Sequence, residues 1–219
     1  MHVVIAGGHG KIALILERLL AERGDSVTGL IRNPAQIADL EAAGARAVVL
    51  DLEQASVDEV TEQLRGADAV VFAAGAGPGS GAARKETVDR DAAILLADAA
   101  EAAGVERYVM ISALAADDRT LDDGYDEVFR AYMRAKADAD ANVRARSGLQ
   151  TTIVRPGGLT DEAGTGVVRI AEATGRGTVP RADVAAVLLA VLDAPRTAGE
   201  TFEVISGETP IAAAVAAIG

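Results

Sequence analysis

The chain contains no cysteine, which excludes disulfides and thiolate chemistry. Its two histidines, His2 and His9, do not form a metal-ligand pattern. Aromatic residues make up 3% of the sequence, so the core has to be assembled from Ala, Val, Leu and Ile. Positive charge is also short: 21 Lys and Arg face 33 Asp and Glu, a formal net charge of −12. Without a basic block to neutralise phosphates, a nucleic-acid partner is not expected. No apolar run approaches the ~20 residues of a membrane span, and the N-terminus offers neither a charged leader nor a signal-peptide core. These absences lead us to expect a soluble, cytoplasmic protein with no metal site. A length of 219 residues suits a single α/β domain.

What is present begins at once. An apolar run over residues 3–6 stops at Gly7, and a helical pattern starts directly after Gly10. The spacing Gly7-x-x-Gly10-x-x-Ala13 describes a strand that turns sharply into a helix. Gly7 can adopt backbone angles closed to other residues. Gly10 lets the main chain approach a ligand, and Ala13 lets the helix pack closely on the strand. The free N–H groups at the start of that helix suit a pyrophosphate. A glycine triplet alone can be just a tight turn; the strand before it and the helix after it point to dinucleotide binding.

Further along, strands are expected at 27–31, 46–50, 69–72, 107–111, 151–154 and 200–205, alternating with helices. The helices are expected at 12–23, 34–43, 86–103, 127–146 and 181–194, with Ser56 capping one that ends near residue 64 and a terminal one over 210–218. The first should bury Ile12, Ile15, Leu16, Leu19 and Leu20. Residues 160–166 read as a mobile loop, 167–170 as a short strand, and the acidic stretch 117–126 as a solvated loop. The alternation predicts an α/β fold: one Rossmann domain over 1–219 with a doubly wound, mainly parallel seven-stranded sheet, order 3-2-1-4-5-6-7. A small substrate-side portion is expected from about residue 156 onward.

Arg32 ends the second strand, where an acidic residue would favour NAD and an arginine accommodates a 2′-phosphate. The other reading is a solvated surface arginine. Asp51 and Leu52 follow the third strand and could border an adenine or simply form a turn. Small residues after the fourth strand, Ala73, Ala74 and Gly75, leave room for a ligand. Tyr132 and Lys136 lie four apart on one helix, hence on one face; the chain has only two other lysines, Lys11 and Lys85. An ordinary half-buried tyrosine with a solvated lysine is the alternative.

With Val154-Arg155-Pro156-Gly157 and Pro180-Arg181-Ala182-Asp183-Val184-Ala185 added, these motifs make the chain resemble an atypical short-chain dehydrogenase/reductase. It is similar to the NmrA-like NAD(P)-binding and NAD-dependent epimerase/dehydratase group, related to flavin reductase/biliverdin reductase B. The resemblance implies that Gly7, Gly10, Lys11 and Ile12 hold the pyrophosphate and Arg32 the 2′-phosphate. It places Asp51 and Leu52 at the adenine, Ala73, Ala74 and Gly75 beside the adenosine, and Pro156, Gly157, Gly158 and Leu159 beside the nicotinamide. NADP(H) is then the preferred cofactor, with NAD(H) possible. The implied activity is hydride transfer to a small carbonyl, quinone or flavin-like substrate, with Tyr132 as acid. A nearby cation lowers a phenol's pKa, and Lys136 would supply it and hydrogen-bond the nicotinamide ribose; Ser112 would hold the substrate oxygen. Relatives often carry a second hydroxyl residue where Ala113 stands here, so the alternative is a non-catalytic redox sensor. A chain this short after the sixth strand has no room for the substrate domain of sugar-nucleotide epimerases.

Overall fold

The computed structural model describes residues 1–77, 79–117 and 126–218; the acidic stretch read as a solvated loop lies almost wholly outside them. Its strands are β1 (His2–Ala6), β2 (Ser26–Ile31), β3 (Arg46–Val49), β4 (Ala69–Phe72), β5 (Arg107–Ile111) and β6 (Gln150–Pro156), then β7 (Gly158–Thr160), β8 (Val167–Ala171), β9 (Thr178–Pro180), β10 (Thr201–Ser206) and β11 (Thr209–Pro210). The helices are α1 (Lys11–Arg23), α2 (Ile37–Ala42), α3 (Val57–Leu64), α4 (Ala82–Arg84), α5 (Ala92–Ala103), α6 (Glu127–Arg144), α7 (Arg181–Leu192) and α8 (Ile211–Ala216).

Among the described residues the main sheet runs β11-β8-β10-β6-β5-β4-β1-β2-β3. From β10 to β3 all pairings are parallel and follow the expected order, with β10 as the seventh strand. Successive side chains alternate between two cores. Val3, Ile5, Val71 and Val109 face the layer of α1, α7 and α8, whereas Val4, Ala6, Val70, Phe72 and Tyr108 face α3, α5 and α6. Small residues let the helices sit close: α5 buries Ala92, Ala93, Ala97, Ala99 and Ala100 along with Leu96.

The sheet is wider than the seven strands expected. β8 and β11 extend it antiparallel beyond β10, and β7 pairs with β9 in a separate two-stranded sheet. β7 and β9 have three residues each and β11 two, too few for an alternating pattern to register. The strand expected over 151–154 runs on through Arg155 to Pro156, which closes it. Its carbonyl still accepts from Leu114 N at 3.1 Å. The loop expected to be mobile is pinned at its end: the Asp183 carboxylate, in the first turn of α7, accepts from Thr165 N, Thr165 Oγ1 and Gly166 N at 2.9–3.0 Å. The helix expected from 86 to 103 is not uniform either. A π-helical stretch, Lys85–Asp91, joins α4 to α5 and turns Lys85, Val88 and Asp89 inward.

The buried face of α1 differs from the expected one. It comprises Ile12, Ala13, Leu16, Glu17 and Leu20, leaving Ile15 and Leu19 at the margin. Glu17 is fully buried and neither carboxyl oxygen has a hydrogen-bond partner. Its Oε1 stands where a Cβ on Gly8 or Gly29 would meet it, at 2.8 and 2.6 Å, directly beneath the β1–α1 turn. Burial pushes this carboxyl from its ordinary 4.5 up to about 8. In the unfolded chain it ionises first, so between those two values the folded form holds the extra proton and stability falls as pH rises. Replacing the ionisable group by Glu17→Gln should therefore stabilise the protein increasingly from pH 5 to pH 8. The expected gain over that interval is ~3 kcal/mol, or roughly 6–12 °C in melting midpoint. Thermal unfolding of both proteins across this range checks it; a constant difference between them would mean that Glu17 does not titrate in that window.

Candidate active site

β1 turns into α1 at the point where the neighbours of β1 are β2 on one side and β4 on the other, the switch point at which open α/β sheets bind ligands. Gly7 adopts φ +81° there, and a Cβ on it would meet Ala74 Cα at 2.6 Å, so only glycine lets the turn lie against the end of β4. Gly10 precedes α1 with no side-chain cap, and the first turn has no acidic residue. The opening N–H groups of α1 are thus left for a ligand, which fits a pyrophosphate.

Two cavities flank this turn, and Ala73, Ala74 and Gly75 line both. The first, about 290 Å³, brings together Gly7, Gly10, Arg32, Asp51 and Leu52, all sequence-predicted. It also includes His9, Gln36, Glu53 and Arg84, which sequence reasoning passed over. Glu53 is the hub of this end. It accepts from Arg84 Nη2 at 2.5 Å and Thr87 Oγ1 at 2.7 Å, and from the half-exposed Arg32 only at 3.5 Å. The Arg84 hydrogen bond holds the Glu53 carboxyl below the usual range, and Glu53 in turn holds the Arg84 guanidinium above its own.

The second cavity, about 510 Å³, collects Ile12, Ser112, Tyr132 and Lys136, again with Lys85 and Asp89 as additions. Ser112 extends β5, donating its backbone N–H to Val154 O at 2.8 Å; its buried hydroxyl makes no hydrogen bond within 3.5 Å but lies close enough to Asp140 to favour that group's carboxylate. Tyr132 and Lys136 share the inner face of α6, and the Tyr132 hydroxyl bonds to none of the described residues. Lys136 does not serve the phenol as expected. Its ammonium contacts Asp89 Oδ1 at 3.4 Å and donates to Ile111 O at 3.2 Å, lying 5.9 Å from the Tyr132 ring centre. Burial pushes the phenol up, and Asp89 and Asp140 push it further the same way. The expected lowering is therefore reversed, chiefly by burial of the phenol.

Two sets of predicted residues lie elsewhere. Lys11 lines neither cavity and pairs with Asp161 at 2.5 Å, which also binds Arg181. Pro156, Gly157, Gly158 and Leu159 form the end of β6 and the start of β7, and none lines either cavity. Among the described residues no group of three or more His, Cys, Asp or Glu is placed to hold a metal, and no helix is long and apolar enough to cross a membrane.

Comparison with known proteins places this geometry. The chain is 40% identical over 216 residues to the uncharacterized sugar epimerase YhfK of Bacillus subtilis, covering 98% of this chain and 99% of that one. It superposes with a TM-score of 0.90 on a candidate NAD-dependent epimerase/dehydratase from Bacillus halodurans, at 36% identity and 99% coverage of both chains. It also matches the oxidoreductase ylbE of Lactococcus lactis, with a TM-score of 0.88, 25% identity, and coverage of 100% and 96%. Residues 7–195 match the family described as NAD(P)H-binding, and with the glycine turn, the uncapped helix and the paired cavities in agreement, the chain belongs to that family.

Proposed function

We propose that the protein is an NADP(H)-preferring reductase that passes hydride to a small carbonyl, quinone or flavin-like substrate. The observation that carries this reading is the pair of cavities meeting at Ala73, Ala74 and Gly75 beside the open start of α1. One is walled by arginines and suits a phosphorylated adenosine; the other holds hydroxyl groups and suits a nicotinamide with its substrate. In this reading residues 1–219 work as a single domain in the cytoplasm.

Arg32 is the residue on which cofactor choice turns. It is more than half exposed and held only by the long contact to Glu53, so it can swing onto a 2′-phosphate. Such a charge-assisted contact is worth ~1.5–3 kcal/mol, roughly a tenfold to hundredfold preference. Calorimetric titration should give that preference for NADP⁺ over NAD⁺ in the wild type and near-equal affinities in Arg32→Ala. Equal affinities in the wild type would remove the preference and leave dinucleotide binding intact.

A bound nicotinamide supplies the hydride. The chain's own residues then deal with the charge that develops on the substrate oxygen. Ser112 and Tyr132 offer hydroxyl donors, and Tyr132 yields its proton even with a raised pKa because an alkoxide is a stronger base than a phenolate. Lys136, paired with Asp89, lies 5.9 Å from the Tyr132 ring centre in the wall of the same cavity. A reduced quinone or flavin is a weaker base and takes its proton from water. Tyr132→Phe should thus lower carbonyl reduction ~10²-fold with unchanged cofactor affinity, while flavin reduction changes little. Steady-state rates with both acceptor types decide this; carbonyl turnover at the wild-type rate in the variant rules Tyr132 out as the acid. The second reading, a redox sensor without turnover, draws on Ala113 and on the upward-shifted phenol. Dinucleotide binding with no turnover of any acceptor, and partner capture that differs between NADP⁺ and NADPH, would select it.

A further inference from the structure

Two lysines and two aspartates line the second cavity, but among the described residues they do not pair one to one. Two of the chain's three lysines, Lys85 and Lys136, stand in its wall, in a protein whose formal net charge is −12. Asp89 is committed: one oxygen faces Lys136 at 3.4 Å and the other accepts from Ala76 N at 3.2 Å. Asp126 is committed too, capping α6 through Phe129 N at 2.8 Å. Lys85 is 9% exposed and has no carboxylate partner among the described residues. Its ammonium donates to Gly77 O at 2.9 Å and lies 5.3 Å from the Tyr132 ring centre. An ammonium has three donors, and one is used. A buried, unmatched cation is costly until an anion reaches it.

We propose that the substrate carries a carboxylate and that Lys85 receives it. Lys85 and Asp89, four residues apart in the π-helical stretch, are both buried on its inner side, one for the ligand and one for Lys136. An anion at Lys85 lies against the Tyr132 ring, so the rest of the molecule extends beside Tyr132 and Ser112. This rests on the reading that the second cavity receives the substrate, and it narrows the acceptors to carbonyl compounds bearing an acid group.

The test uses the full chain saturated with NADP⁺ and two probes matched in shape but not in charge, benzoate and benzamide, with inorganic phosphate as a third. Ligand-observed NMR titrations should show benzoate binding about tenfold or more tightly than benzamide, the worth of a charge-assisted contact. Lys85→Gln, which keeps a donor for Gly77 but no charge, should bring the ratio to near one, and Lys85→Arg should preserve it. A lysine that merely braces the backbone at Gly77 would weaken both probes alike and leave the ratio in place, which overturns the proposal. Equal affinities in the wild type overturn it as well, as does Lys85-dependent binding of phosphate without benzoate. Lost NADP⁺ affinity in Lys85→Gln at an unchanged benzoate ratio would instead give Lys85 to the dinucleotide. A wild type that binds no dinucleotide sinks the functional reading itself, and the same titrations on the free protein then judge the carboxylate site alone.

Discussion

The fold and the site both depend on one close approach, that of Gly7 to Ala74. It requires the absence of a Cβ and a positive φ at the same residue. With that contact made, β1 can end level with β4, α1 can start over the gap, and the two cavities share a wall. A side chain at Gly7 would separate the turn from β4 and pull the two halves of the cleft apart. Local backbone sterics therefore come before any recognition chemistry: the arginines and hydroxyls matter only because the turn holds their strands in register.

Much of this was legible in the sequence because it rests on short-range rules. The Gly7, Gly10 and Ala13 spacing, the Arg32 position and the order of the parallel strands each follow from a local pattern, and the residues of the first cavity assemble as those patterns imply. What escaped depends on the chain returning on itself. Glu53 follows Asp51 by two residues and reads as a turn acid, and its role emerges only when Arg84 and Thr87 arrive from across the cleft. Nothing local in the sequence marks Lys85 or Asp89 as cavity residues, and both are buried in the π-helical stretch. Glu17 shows the limit most clearly. Both possible buried faces of α1 have helical spacing, and a pattern that favours apolar residues cannot choose the face carrying a carboxylate.

The resemblance to reductases foresaw which side chains gather in the second cavity better than it foresaw their electrostatics. Tyr132, Lys136 and Ser112 do converge, yet Asp89 absorbs the lysine's charge and the phenol is shifted against expectation. Behind them, Asp140 is buried against Arg155, which donates to it from Nε at 2.9 Å and Nη2 at 2.7 Å. Burial keeps the Asp140 carboxyl above its ordinary range despite that arginine. A motif fixes the positions of a few side chains; the charge each one presents is set by neighbours that the motif does not include.

The scarcity of lysine has a practical corollary. The primary amines outside the cavity are those of Met1, tied to Asp25, and Lys11, whose side chain is two-thirds exposed. Lys85 and Lys136 are more than nine-tenths covered. An acylating reagent therefore meets one open lysine and two shielded ones. The ratio of modification at Lys85 to that at Lys11 becomes an internal gauge of occupancy, readable by mass spectrometry in a chain with no cysteine to compete for the reagent.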